Sequence, residues 1–221
     1  MEQILPTLTK KVVIITSQLH LPQIQRSPKT DLLLKHRNIL LWISQNPIYT
    51  NQEKYMAFPY GINHHNVTAY LHFIKSNNIN QPKSIKILNQ FTNVHRHLPE
   101  THIRKMYPIF RGTKRLNYTE FLKNILNAEF VISTAGDRDD CYRHYESIGL
   151  NAIPISNINH GYKDIFGDNM VYSNAEEMRK NILTQTIRHA YIKHNTNILN
   201  VSYWKLKIQK RINQLRSKIG V

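Results

Sequence analysis

Short apolar runs alternate along this chain with longer segments that have helical spacing. The runs at residues 11–16 and 38–44 are too short and too apolar for surface helices, so they predict two buried strands. A short helix is predicted between residues 28 and 37. Another follows the turn at residues 58–62, because apolar residues recur there at helical spacing: Val67, Tyr70, Leu71 and Ile74.

The rest of the chain continues this alternation. Strands are predicted at residues 84–88, 130–133 and 152–155. The run 130–133 lacks polar alternation, as expected for a parallel strand with both faces covered. Two pairs have the spacing of a helix capping box: Asn117 with Glu120, and Asn174 with Glu177. Helices are also predicted from Pro99, with Ile103, Met106, Tyr107 and Phe110 on one face, from about residue 138 to 149, and along a terminal segment containing Val201, Trp204, Ile208, Leu215 and Ile219. The order predicts an α/β protein with two Rossmann-like blocks and parallel sheets, the first block small.

A polar stretch divides these blocks. Residues 76–82 read SNNINQP, which favours a linker. We therefore expect an N-terminal α/β block at 1–80, a larger Rossmann-like domain at 83–197 and a basic amphipathic helix at 198–221.

Net charge indicates a phosphate-bearing partner. Thirty Lys and Arg against 14 Asp and Glu give +16, and no acidic residue follows Glu177.

Two alternatives fit the basic terminal helix: a packing helix whose lysines face water, or an interfacial helix attracted to anionic lipid.

Composition narrows the class of protein further. The 221 residues are 41% hydrophobic, enough for a globular core, and no apolar run is long enough to cross a bilayer. The single cysteine, Cys141, excludes an internal disulfide. We expect a cytoplasmic protein, with peripheral membrane contact as the alternative.

The segment 130–155 carries the candidate chemistry. Gly136 lies in the turn after a predicted strand, where the loop and the helix amino end of an α/β protein bind ligands. Arg138 is unfavourable near a helix amino end unless an anion or a carboxylate compensates it. On the following helix we expect one face to pack and the other to present Asp140, Arg143 and Glu146. A solvated ladder in which Glu146 pairs with Arg143 is the alternative.

This segment resembles the donor-binding segment of exostosin-type glycosyltransferases, which have the GT-B fold. The pattern G-x-G-x-D-x-x-R-x-x-E is matched by Gly136, Asp140, Arg143 and Glu146, and the closing Ile-Pro by Ile153 and Pro154. Arg138 replaces the second glycine of the pattern, and Asn151 replaces the glycine before Ile-Pro.

The resemblance implies transfer of a sugar from a nucleotide-diphosphate donor. Glu146 would bind ribose hydroxyls, because a carboxylate accepts two hydroxyl hydrogen bonds. Arg143 would bind the diphosphate, because a guanidinium donates paired N–H bonds to phosphate oxygens. Weaker resemblance at residues 58–62 and 90–104 implies a further diphosphate contact from Arg104, or less specifically Arg96. The full set implied for nucleotide-sugar binding is Gly136, Asp140, Arg143, Glu146, Arg104 and Arg138. We expect Arg143 and Glu146 to project together into an open crevice.

The family also implies an inverting reaction that needs neither a metal nor a cofactor, with a glycan or glycoprotein hydroxyl as acceptor. The first block would then be the acceptor side and residues 83–197 the donor-binding domain. Five residues of the first block could act as the general base: His20, Asp31, Glu53, His64 and His65. Two other functions are compatible with the chain: a basic nucleic-acid-binding module and a non-catalytic glycosyltransferase-like protein. The sequence contains no recognisable groove-reading or base-stacking motif that would favour the first of these.

Overall fold

Two parallel sheets and seven α-helices make up the part of the chain described by the computed structural model, residues 5–17, 24–89, 116–135, 139–187 and 194–220. The strands are β1 (Val12–Thr16), β2 (Ile39–Ser44), β3 (Tyr55–Ala57), β4 (Ile85–Leu88), β5 (Ala128–Ile132), β6 (Ile153–Ser156) and β7 (Val171–Tyr172). The helices are α1 (Pro28–Lys35), α2 (Val67–Ser76), α3 (Tyr118–Leu126), α4 (Tyr142–Gly149), α5 (Lys163–Phe166), α6 (Ala175–Thr184) and α7 (Val201–Lys218). The sheet orders are β1-β2-β3 and β4-β5-β6-β7, with every pairing parallel. The predicted α/β class with two parallel, Rossmann-like blocks is confirmed.

The chain divides into two compact units. The first comprises residues 1–59, 161–165 and 200–221, and the second comprises 60–160 and 166–199. The polar stretch at 76–82 therefore lies within the second unit, whereas the sequence placed a boundary there. The physical reason is that Tyr70 and Phe73 of α2 pack with Leu122 and Ile125 of α3. Likewise, α7 contacts β2 and belongs to the first unit instead of standing apart.

The first unit is built around β2, whose six residues are all buried. Trp42 lies edge-on to Tyr49 and Tyr55, with ring centroids 5.9 and 5.2 Å away, a favourable aromatic geometry. Helix α7 buries Trp204 and Leu215. Its lysines at 205, 207 and 210 are exposed, so the structure has the packing-helix arrangement that the sequence allowed for this segment.

The second unit covers both faces of its sheet. On β5, Val131 packs into the core formed with α2 and α3, whereas Phe130 and Ile132 join Met178 of α6 on the opposite face. This alternation follows from the two-residue period of a strand. It explains why residues 130–132 are all apolar.

The predicted helix caps are confirmed at both positions. The Asn117 side chain accepts the Glu120 N–H, and Asn174 accepts that of Glu177, each at 2.9 Å. The helix expected from residue 138 begins at Tyr142, after Asp139–Cys141. Strands β3 and β7 and helix α5 were not predicted, and the helix predicted from Pro99 lies outside the described residues. No helix in the described ranges has the length and apolar character that crossing a bilayer requires.

Candidate functional site

The candidate site lies where β5 and β6 end and α4 begins. The loops after the two strands are joined by hydrogen bonds: the Ala135 N–H donates to Asn157 at 3.0 Å, and the Asn159 amide donates to Asp139 at 2.9 Å. Burial raises the pKa of Asp139, and the bond from Asn159 opposes that rise. These bonds place polar side chains at the carboxyl edge of the sheet, the usual ligand edge of α/β proteins.

Asp140 is turned into the protein and is only 3% exposed. Its Oδ2 accepts the Tyr145 hydroxyl at 2.5 Å and the backbone N–H of Tyr60 at 3.0 Å. Burial and the Asp140 charge raise the pKa of Tyr145, so this phenol stays a proton donor. Asp140 therefore fixes the residue 60 loop to the start of α4.

His144 forms a second buried junction. Its Nε2 lies 2.9 Å from the Ser133 carbonyl oxygen and 3.1 Å from Ser156 Oγ, at the ends of β5 and β6. Its Nδ1 lies 3.4 Å from Asp140 Oδ1. The side chain is fully buried, so these contacts replace the hydration that it loses. His144 therefore fixes α4 to the two strand ends.

Glu146 is held by two tyrosines. The Tyr118 hydroxyl donates to Glu146 Oε1 at 2.8 Å, and the Tyr70 hydroxyl donates to the Glu146 carbonyl at 3.0 Å. Burial raises the pKa of Glu146, while the Tyr118 bond and the Arg143 charge oppose the rise. Burial and the neighbouring carboxylate also raise the pKa of Tyr118.

Arg143 is partly exposed and lies against α3. Its guanidinium carbon is 5.5 Å from the centroid of the Phe121 ring, a distance typical of cation–π contacts. Tyr118 and Phe121 are one turn apart on α3, and the residues that they contact, Glu146 and Arg143, are one turn apart on α4. One face of α3 thus supports both side chains.

The described structure differs from the open crevice expected for this pair. Glu146 is 4% exposed, and residues 144–150 are all buried. The expectation that one face of α4 presents charges to solvent is therefore wrong for Asp140 and Glu146. The reason is that donors of the protein itself bond both carboxylates: Tyr145 and the residue 60 loop for Asp140, and Tyr118 for Glu146.

The remaining predicted site residues either lie outside the described residues or have other partners. Gly136, Arg138, Arg104 and Arg96 lie outside the described residues, as does His20 among the base candidates. Asp31 accepts the Tyr49 hydroxyl at 2.6 Å, which lowers its pKa. Glu53 pairs with Lys218, and the rings of His64 and His65 are 3.7 Å apart.

The sequence analysis missed the supporting residues Tyr60, Tyr118, Phe121, His144, Asn157 and Asn159. Asn157 and Asn159 lie in the loop directly after β6. The rule that ligands bind at the loops after parallel strands pointed to the loop after β5, and applied to β6 it would have found both asparagines. Tyr118 gave no such signal, because an aromatic residue near a helix start is ordinarily a packing residue. Its contact depends on how α3 and α4 pack.

Within the described residues, no group of three or more His, Cys, Asp and Glu side chains is placed to hold a metal ion. Metal independence stays a prediction. A scan against protein-family models finds no match, and a search of curated proteins finds none either. The exostosin resemblance thus depends on the residues of the segment themselves.

Proposed function

We propose that this protein is a glycosyltransferase of the GT-B type that takes a sugar from a nucleotide-diphosphate donor. The donor binds the second unit, and a hydroxyl of a glycan or glycoprotein is the acceptor. The reaction proceeds with inversion and without a metal or cofactor. One observation carries the proposal: Arg143 and Glu146, at the spacing that resembles the exostosin segment, are held together by α3 on the helix that follows β5.

The two side chains suit different parts of a nucleotide sugar. The Arg143 guanidinium, half-buried over Phe121, binds diphosphate oxygens through paired N–H donors. It stabilises the negative charge that develops on the leaving diphosphate. The resemblance assigns the ribose hydroxyls to Glu146, whose carboxylate can accept them; Tyr118 fixes its Oε1, and the residue is 4% exposed. Asp140 positions the start of α4 by accepting the Tyr60 N–H, which fixes the residue 60 loop.

Nucleotide binding tests the proposal directly. Saturating UDP or GDP is expected to raise the melting temperature of the protein, because a ligand at a hundred times its Kd stabilises by about 2.7 kcal/mol. Arg143→Ala is expected to abolish the shift, whereas Lys123→Ala, at an exposed position of α3, leaves it unchanged. Donor binding is refuted when neither nucleotide moves the melting curve of the unaltered protein.

The burial of Glu146 favours a second candidate, a protein that keeps the glycosyltransferase fold without turnover. In that case Glu146 is a structural residue that joins α4 to Tyr118. Incubating the protein with radiolabelled nucleotide sugars and mixed glycan acceptors separates the candidates. Nucleotide binding with donor hydrolysis or transfer supports the enzyme, whereas nucleotide binding without either supports the inactive protein.

A further inference from the structure

Helix α7 presents an exposed face on the side away from its buried residues. Trp204 and Leu215 face inward and are 3% and 5% exposed. On the outward side, Lys205, Lys210 and Arg216 are exposed. Lys205 and Arg216 are about three turns apart, so they lie in one row along the helix.

The positive charge of this face has no ion-pair partner in the described part of the chain. Among the described residues, none forms an ion pair with Lys205, Lys210 or Arg216. The other two lysines of the helix are engaged: Lys207 donates to the Asp164 carbonyl at 3.2 Å, and Lys218 pairs with Glu53. No acidic residue follows Glu177 in the sequence, so α7 itself offers no counter-charge.

An apolar side chain stands among these cations. Leu206 is 71% exposed, and Lys210 lies one turn further along the same side. A phosphate backbone offers nothing to an exposed leucine, whereas the acyl boundary of a lipid bilayer takes it up. The combination therefore favours an anionic lipid surface over nucleic acid.

We propose that the outward face of α7 binds an anionic lipid surface through Lys205, Lys210 and Arg216, with Leu206 entering the acyl boundary. Each basic residue near such a surface strengthens binding by about fivefold. The apolar side of α7 stays packed on β2, so the helix adsorbs without leaving the first unit. This inference is independent of the proposed sugar transfer.

Vesicle sedimentation with the full chain tests this surface. We expect binding to vesicles of phosphatidylcholine with phosphatidylserine, no binding to phosphatidylcholine alone, and release by added salt. Replacing Lys205, Lys210 and Arg216 by Glu should weaken binding by at least about a hundredfold, because three favourable charges are lost and three unfavourable ones are added. The matched control replaces Lys75, Lys123 and Arg179 by Glu, which removes the same charges from exposed positions of the second unit and should leave most of the binding.

Leu206→Ala distinguishes lipid from nucleic acid. For lipid we expect a roughly tenfold weaker association, because the side chain no longer enters the acyl boundary. The proposal is overturned when the unaltered protein ignores phosphatidylserine, or when the triple variant binds as well as its control. It is equally overturned when the face binds RNA but not vesicles. Circular dichroism of each variant checks that α7 is still folded.

Discussion

Tyr118→Phe removes one hydroxyl from the candidate site and leaves its ring in place. The lost bond is 2.8 Å long and ends on a carboxylate that is 4% exposed, so water replaces it poorly. A hydrogen bond to a charged group contributes about 1.5–3 kcal/mol, and we expect a loss near 2 kcal/mol at neutral pH. For a chain of this size, that is roughly 4–8 °C in Tm. The loss should shrink at acidic pH, where Glu146 is protonated.

A double-mutant cycle in urea isolates the interaction. Tyr118→Phe, Glu146→Gln and the double variant should give a coupling energy of about 1 kcal/mol or more. Tyr203→Phe is the matched control, because the Tyr203 hydroxyl donates to no described residue and the ring contact with Lys207 is kept. An equal cost of Tyr118→Phe with Glu or Gln at residue 146 would refute the reasoning, since the bond would then not involve the carboxylate charge.

Two further substitutions, together with Glu146→Gln alone, probe the same unit. Gly149→Ala places a methyl group on the Tyr70 hydroxyl and 2.8 Å from Leu199, and should cost about 1–3 kcal/mol in urea denaturation. Glu146→Gln should change the pH dependence of Tm. Burial raises the folded-state pKa above its usual 4.5, so the wild type loses stability as pH rises from about 4.5 through that pKa, and the neutral variant gains relative to it there. Asp140→Asn should cost about 1.5–3 kcal/mol, measured by thermal denaturation, because the Tyr60 N–H and the Tyr145 hydroxyl lose their charged acceptor.

Local chemistry made much of the fold predictable. The caps at Asn117 and Asn174 were read from spacing alone, because a capping box involves residues only three positions apart. The long apolar strands β2 and β5 were equally clear. Strands β3 and β7 were missed because three and two residues are too few to show a period.

The interior of the site could not be predicted in the same way. Asp140 and Glu146 are polar residues at helical spacing, and the solvated or ligand-facing interpretations both assumed exposure. Their burial depends on a donor 80 residues earlier, at Tyr60, and on another 28 residues earlier, at Tyr118. Such pairs follow from tertiary packing, which a pattern along one helix does not contain.

The first unit is assembled from three separate stretches of chain, and the last of them supplies Trp204 and Leu215. During synthesis on the ribosome, β2 is made more than 150 residues before these partners. One side of the first sheet therefore stays uncovered while the second unit is synthesised. Until α7 leaves the exit tunnel, that side is open to chaperones and to aggregation. A premature stop before residue 200 should therefore harm the amino-terminal sheet first, although its own residues are all present.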